Sequence, residues 1–306
     1  MRGGGGVEKE YRSLVSRIAA LSLIHFCLWF SLSFAYSYVT RVLLSDAYGE
    51  RLEIYSDLSY AIVYTVSLLV TIRFAKIFMG MDPSRDLKCA PTSIIVPAAF
   101  VSVAVVFAAS VVGSLFTSSV KAFEVFGEDT TATITPASFL VKLLVLVVLP
   151  AFLEEILFRG VILKSLIPHG KTSAIFLSAL LFALIHHHPT KLVYSFAGGI
   201  VIGYFVTEYS SIWIGILVHA INNLIALVSL SVYNICSEKV YAAYNAALSI
   251  LIFGGALVAM PILILKANKK EEQEHFSISS LFAFLRSPLM LLYFLFSIIY
   301  MVYIII

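Results

Sequence analysis

Two stretches of this chain, SIIVPAAFVSVAVVFAASVVGSLFTSSV (93–120) and VYAAYNAALSILIFGGALVAMPILIL (240–265), run on without one charged residue. About 20 apolar residues of helix cross a bilayer core, and backbone there must satisfy its own hydrogen bonds. Runs of this length leave little besides a transmembrane helix bundle. Composition agrees: the 306 residues are 60% hydrophobic and 13% charged, where a soluble domain carries about 25% charged residues. Mean hydropathy is +0.96. The expected fold is all-α, a polytopic bundle of about eight or nine spans around an intramembrane polar cavity.

The spans are expected near 14–44, 58–80, 92–120, 137–163, 172–188, 191–207, 211–233, 240–265 and 288–306. Residues 1–13 form a polar leader without a cleavage-site pattern, so the first span reads as a signal anchor. Residues 14–136 then hold the N-terminal helices, 137–232 a core, and 233–306 the C-terminal helices. A charged connector at 266–287 separates the last run, which reads as an appended anchor.

Lysine and arginine sort by side. Arg2, Lys9, Arg12 and Arg17, then Arg73, Lys76, Arg85 and Lys88, then Arg159, Lys164 and Lys171, then Lys266, Lys269 and Lys270 share one face if every span crosses. The opposite loops carry Asp46, Glu50, Glu53 and Asp57, and Glu124, Glu128 and Asp129. The positive-inside rule puts the N-terminus in the cytoplasm and the C-terminus outside. Because the fourth span's charged motif lies towards its cytoplasmic end, the cavity is expected to open there. The basic groups suit anionic lipid headgroups, not nucleic acid. Cys27, Cys89 and Cys236 are scattered, with no metal or redox spacing.

Ionisable groups deep in the spans fall in the fourth, fifth and seventh. These read FLEEILFRG (152–160), LLFALIHHHP (180–189) and IWIGILVHAINNLIALVSL (212–230). Charged residues inside a membrane are expensive and mark function. Glu155 and Arg159 are four apart with the glutamate first, the favourable order for an ion pair, so a structural pair is the expected role. Glu154 is five from Arg159 and points elsewhere. Phe182 and His186, and His219 and Asn223, also stand four apart. Glu154 and a histidine can hold a water and take its proton. A second histidine and Asn223 can donate to a developing oxyanion. Asn222 reads as helix–helix glue. His187 and His188 read as solvated or headgroup-level residues, and the tyrosines as an interfacial belt.

These residues resemble the CPBP family, the CAAX prenyl endopeptidases and bacteriocin-processing (Abi) intramembrane proteases. Its pattern is EExxxR, then FxxxH, then HxxxN or HxxxD. Here the chain reads Glu154-Glu155-Ile-Leu-Phe-Arg159, Phe182-Ala-Leu-Ile-His186 and His219-Ala-Ile-Asn222-Asn223, in order, over about 137–232. The resemblance implies an endopeptidase acting on a membrane-tethered protein or peptide, prenylated CaaX-type or otherwise. It implies that Glu154 and His186 activate the water, that His219 and Asn223 form the oxyanion hole, and that Glu155 and Arg159 support them. No metal is assigned. The alternative is zinc on Glu154, His186 and His219 with an open position; the lack of an HExxH helix and the better use of Asn223 as a donor favour the metal-free route. A non-catalytic immunity or scaffold protein of the same fold and a proton- or ion-coupled transporter are the other classes. Intact motifs weigh against the first, and the lack of a repeat against the second.

Overall fold

The computed structural model describes residues 4–43, 50–80, 90–118, 134–266 and 278–305. Asp46, Glu124, Glu128, Asp129, Arg2, Arg85, Lys88, Lys269, Lys270 and Cys89 lie outside the described residues. Those described fold into helices: α1 (Gly4–Leu43), α2 (Glu50–Met79), α3 (Thr92–Ser118), α4 (Pro136–His169), α5 (Lys171–Leu184), α6 (Pro189–Tyr209), α7 (Ile212–Ile235), α8 (Glu238–Lys266), α9 (Ile278–Leu285) and α10 (Pro288–Ile305). The expected all-α bundle is what forms. Seven helices are long and apolar enough to cross a membrane, and eight if the pair α9–α10, bent by 67°, counts as one.

The expected nine spans are corrected at α5. It is 14 residues long, about 21 Å at 1.5 Å per residue, too short for a bilayer core of about 30 Å. The apolar run had seemed longer because it continues into the turn at 185–188. α5 and α6 form an antiparallel hairpin, closed by Lys171 on Glu208 at 3.1 Å. Gly199 of α6 lies so close to Ala179 of α5 that an added Cβ would stand 2.9 Å from its Cα. Small residues let membrane helices approach in this way.

The last helices are also corrected. α9 fills part of the expected connector, and α10 is no appended anchor. Phe284, Met290 and Tyr293 are buried in the main core with Ile18, Leu21, Leu163 and Leu181. Tyr11 donates to the Ser280 carbonyl, and Ser280 to that of His169. Asp57, expected in a loop, sits in α2 and pairs with Lys142 of α4 at 2.9 Å.

α4 positions the chemistry and is the least regular helix. Thr135 and Ser138 form a capping box at its start, with Pro136 in the first turn. It widens into π-helix over 143–148 and again over 156–163. Insertions of this kind frequently mark functional sites. Pro150 lacks the N–H that an α-helix would direct at the Leu146 carbonyl. Glu154 and Glu155 sit between the two π segments.

Candidate active site

One cavity of about 270 Å³ takes in Glu154, His186, His219 and Asn223 together. α1 adds His25 and Trp29, α2 adds Tyr60 and Tyr64, and the start of α6 adds Lys191 and Tyr194. The four motif residues expected to converge thus do so.

Their partners come from α2, α4 and α5. Tyr64 of α2 donates its hydroxyl to Glu154 Oε1. Glu154 Oε2 is buried and has no hydrogen-bond partner among the described residues. His186 Nδ1 lies 2.9 Å from the Phe182 carbonyl. A carbonyl only accepts, so Nδ1 carries the proton and Nε2 is left with its lone pair. The Phe182 ring meets His186 and His219 edge to face, with centroids at 5.2 and 5.6 Å. Phe182 also carries the Arg159 guanidinium 4.4 Å above its centre, a cation–π contact. The phenylalanine of FxxxH therefore packs against three motif side chains.

The Glu155–Arg159 pair forms, at 2.9 Å and with both side chains buried. Arg159 also donates to the Gly199 carbonyl at 3.2 Å. Glu155 does more than expected, because its Oε1 lies 3.0 Å from His219 Nδ1. It orients the histidine as well as neutralising the arginine. Gly215 makes room for it: an added Cβ would stand 2.6 Å from Glu155 Oε2.

Asn223 donates Nδ2 to the Leu146 carbonyl at 2.9 Å, the oxygen that a regular α-helix would pair with the N–H that Pro150 lacks. Asn223, not Asn222, is therefore the inter-helix glue. Asn222 makes no hydrogen bond among the described residues. Asn223 still lines the cavity, and its amide has a second N–H.

Three expectations fail here. His187 is not at the surface: it is buried against Phe26, Trp29 and Tyr300, with neither ring nitrogen hydrogen-bonded among the described residues. Its backbone is left-handed, φ 48°, which lets the chain turn sharply between His186 and Pro189. His188 is half-buried, with Nδ1 2.6 Å from the Thr190 hydroxyl. Second, α1 also carries a deep ionisable group. His25 is buried, with Nδ1 3.3 Å from Thr71 Oγ1. Third, the cavity and the N-terminus lie at opposite ends of the bundle. The cavity runs from mid-helix towards the starts of α2, α4 and α6 and the ends of α1 and α7. Arg17 reaches the Phe78 carbonyl and Lys266 the Ser93 carbonyl at the other, basic end.

Among the described residues no three His, Cys, Asp or Glu side chains are placed to hold one metal ion. Glu154 Oε1 and both histidine Nδ1 atoms already have protein partners. Nδ1 held by a carbonyl or carboxylate is also the usual outer shell of a zinc-bound imidazole, so these partners leave Glu154 Oε2 and the two Nε2 atoms as the atoms a metal would need; in this arrangement the three side chains do not converge as a ligand group. Sequence reasoning missed Tyr60 and Tyr64 by reading the tyrosines as interfacial. Their spacing of four along the middle of a span is the signal that could have found them.

Neither a curated protein nor a solved structure matches the chain. A family model does, over residues 136–225, and it is described as type II CAAX prenyl endopeptidase Rce1-like. That segment contains all three motifs and the α4–α7 framework that carries them. Residues 136–225 of this integral, multi-pass membrane protein match the type II CAAX prenyl endopeptidase Rce1-like family, which supports placing this domain with the CAAX proteases.

Proposed function

We propose that the chain is an intramembrane endopeptidase that cleaves a membrane-tethered protein or peptide with water activated by Glu154 and His186. The observation that carries this reading is the division of labour at Glu154. One carboxylate oxygen is held by Tyr64, and the other is buried with no partner among the described residues, on a side chain that lines the cavity. An anionic oxygen so placed is a ready acceptor for a water proton, and His186 Nε2 is a second. The cavity, at about 270 Å³, has room for a water, which needs about 10–15 Å³ of such space.

In the step, water attacks the scissile carbonyl carbon. Its proton passes to Glu154, negative charge forms on the carbonyl oxygen, and Glu154 returns the proton to the leaving amine. The second N–H of Asn223 is a neutral donor left for that oxygen. His219, with Nδ1 on the Glu155 carboxylate, presents its ring to the same cavity. Glu155 and Arg159 are positioning residues. They fix His219 through Nδ1, as second-sphere carboxylates fix catalytic imidazoles elsewhere.

The test is cleavage of a farnesylated CaaX peptide and its unprenylated twin by the purified protein, with and without a chelator. Cleavage that survives chelation, in a sample with sub-stoichiometric zinc, is expected. Activity lost on chelation and restored by stoichiometric zinc would overturn the metal-free step.

The basic end, with Arg12, Arg17, Lys76, Lys164, Lys171 and Lys266, is proposed to face the cytoplasm. The cavity then opens towards the other leaflet. Because α5 and α6 return to the end they leave, counting them as spans does not change this. Reporter fusions should read cytoplasmic at residue 268 and extracytoplasmic at residue 237; the reverse pattern would invert the assignment.

A further inference from the structure

A second cavity, of about 350 Å³, lies at the basic end between α4 and the α6–α7 turn. It does not communicate with the first through shared residues: Glu155 and Arg159 stand between them, and of the two only Arg159 lines the second. Its composition is two-sided. Arg159 and Lys164 bring two cations, and Thr207, Ser210 and Ser211 bring three hydroxyls. Leu163, Ile167, Val206 and Ile212 supply apolar wall.

Position sharpens this. The cavity lies where α4 nears its end and where α6 gives way to α7, at the end of the bundle that also carries Arg17, Lys171 and Lys266. Only two of the five Arg159 donors are engaged by Glu155 and Gly199. Thr207 donates to the Gly203 carbonyl and Ser211 accepts from the Ala90 N–H, so both hydroxyls are already oriented. One buried and one half-buried cation, Arg159 and Lys164, beside hydroxyls and an apolar wall match a phosphate diester carried on acyl chains. Basic pockets between membrane helices on the cytoplasmic side bind such headgroups. We infer that this cavity binds the phosphate headgroup of an anionic phospholipid, through Lys164 and Arg159, with the glycerol and first acyl carbons along Leu163 and Ile167. This inference stands whether or not the chain is a protease.

The experiment uses the purified full-length protein and native mass spectrometry, with dioleoyl phosphatidylglycerol, dioleoyl phosphatidylcholine and sn-glycerol 3-phosphate as probes. Phosphatidylglycerol should be retained in preference to phosphatidylcholine. Lys164→Gln should weaken retention about fivefold, the worth of one cation near an anionic headgroup. Lys164→Arg should keep it, which guards against a folding defect being read as a binding one. Lys266→Gln, at the same end but outside the cavity, should leave it unchanged. Equal retention of the two lipids, or equal losses from Lys164→Gln and Lys266→Gln, would overturn the site. Displacement of the lipid by glycerol 3-phosphate at matching concentration would show a site for free phosphate and overturn the lipid assignment.

Discussion

Glu155→Gln separates holding the site together from doing its chemistry. Glu155 Oε1 is shared by Arg159 at 2.9 Å and His219 at 3.0 Å, with the carboxylate fully buried. Glutamine keeps the shape and an accepting oxygen but leaves the guanidinium without a counter-charge. Breaking one side of a buried pair costs about 3–5 kcal/mol. The Gly199 carbonyl, the Phe182 ring and the glutamine oxygen all remain on Arg159, which puts the loss towards the lower figure, about 3 kcal/mol. Arg159→Met should cost a similar amount. Together the two leave no lone charge, so the double variant should be less damaged than the sum. A coupling energy of about 2 kcal/mol or more is expected, within the range for residues in contact. The assay is reversible unfolding of the four proteins in one detergent, read as a double-mutant cycle. Peptide cleavage by Glu155→Gln should fall only in part, because the glutamine oxygen still accepts from His219. Strictly additive losses, or a Glu155→Gln protein that is fully stable and wholly inactive, would refute the positioning role.

Two further substitutions probe the packing. Gly215→Ala should destabilise by about 1–3 kcal/mol, the usual cost of overpacking, and lower cleavage as well, because the new methyl would stand 2.6 Å from Glu155 Oε2; a thermal melt and an activity assay like the parent's would contradict this. Asn223→Ala should cost about 0.5–1.5 kcal/mol, the net worth of one hydrogen bond, here to the exposed Leu146 carbonyl, and less in a Pro150→Ala background, where an α-helical N–H becomes available to that oxygen; an equal cost in both backgrounds would show that Asn223 stabilises by another route.

The helical class and the candidate constellation were legible because polar groups are sparse in apolar sequence. Glu154, His186, His219 and Asn223 stand out against their neighbours, and their four-residue spacings foretold the pair Glu155–Arg159 and the contact of Phe182 with His186. Contacts between distant segments were not legible. Nothing local ties Tyr64 to a glutamate 90 positions away, or His219 to Glu155. The length of α5 misled because His187 is apolar in its packing though polar in kind, so the hydropathic run and the helix end at different places. The cavity's direction was inferred from where α4 ends, whereas it is set by the neighbours that crowd each half of α4. Asn223 was the nearest miss: Pro150 lacks the N–H that a regular α-helix would give the Leu146 carbonyl, and an asparagine on a facing helix is a natural partner for it.

The measurement that bears most directly on the mechanism is cleavage by Glu154→Gln. The change is nearly isosteric, and Tyr64 can still donate to the amide oxygen, so the protein should fold and melt as the parent does. The base is gone, and general-base catalysis is worth about 10² to 10⁴ in rate. Turnover of a membrane-tethered peptide that the parent cleaves should fall by at least about 10²-fold, with peptide binding retained. A Glu154→Gln protein that cleaves at the parental rate would contradict the account.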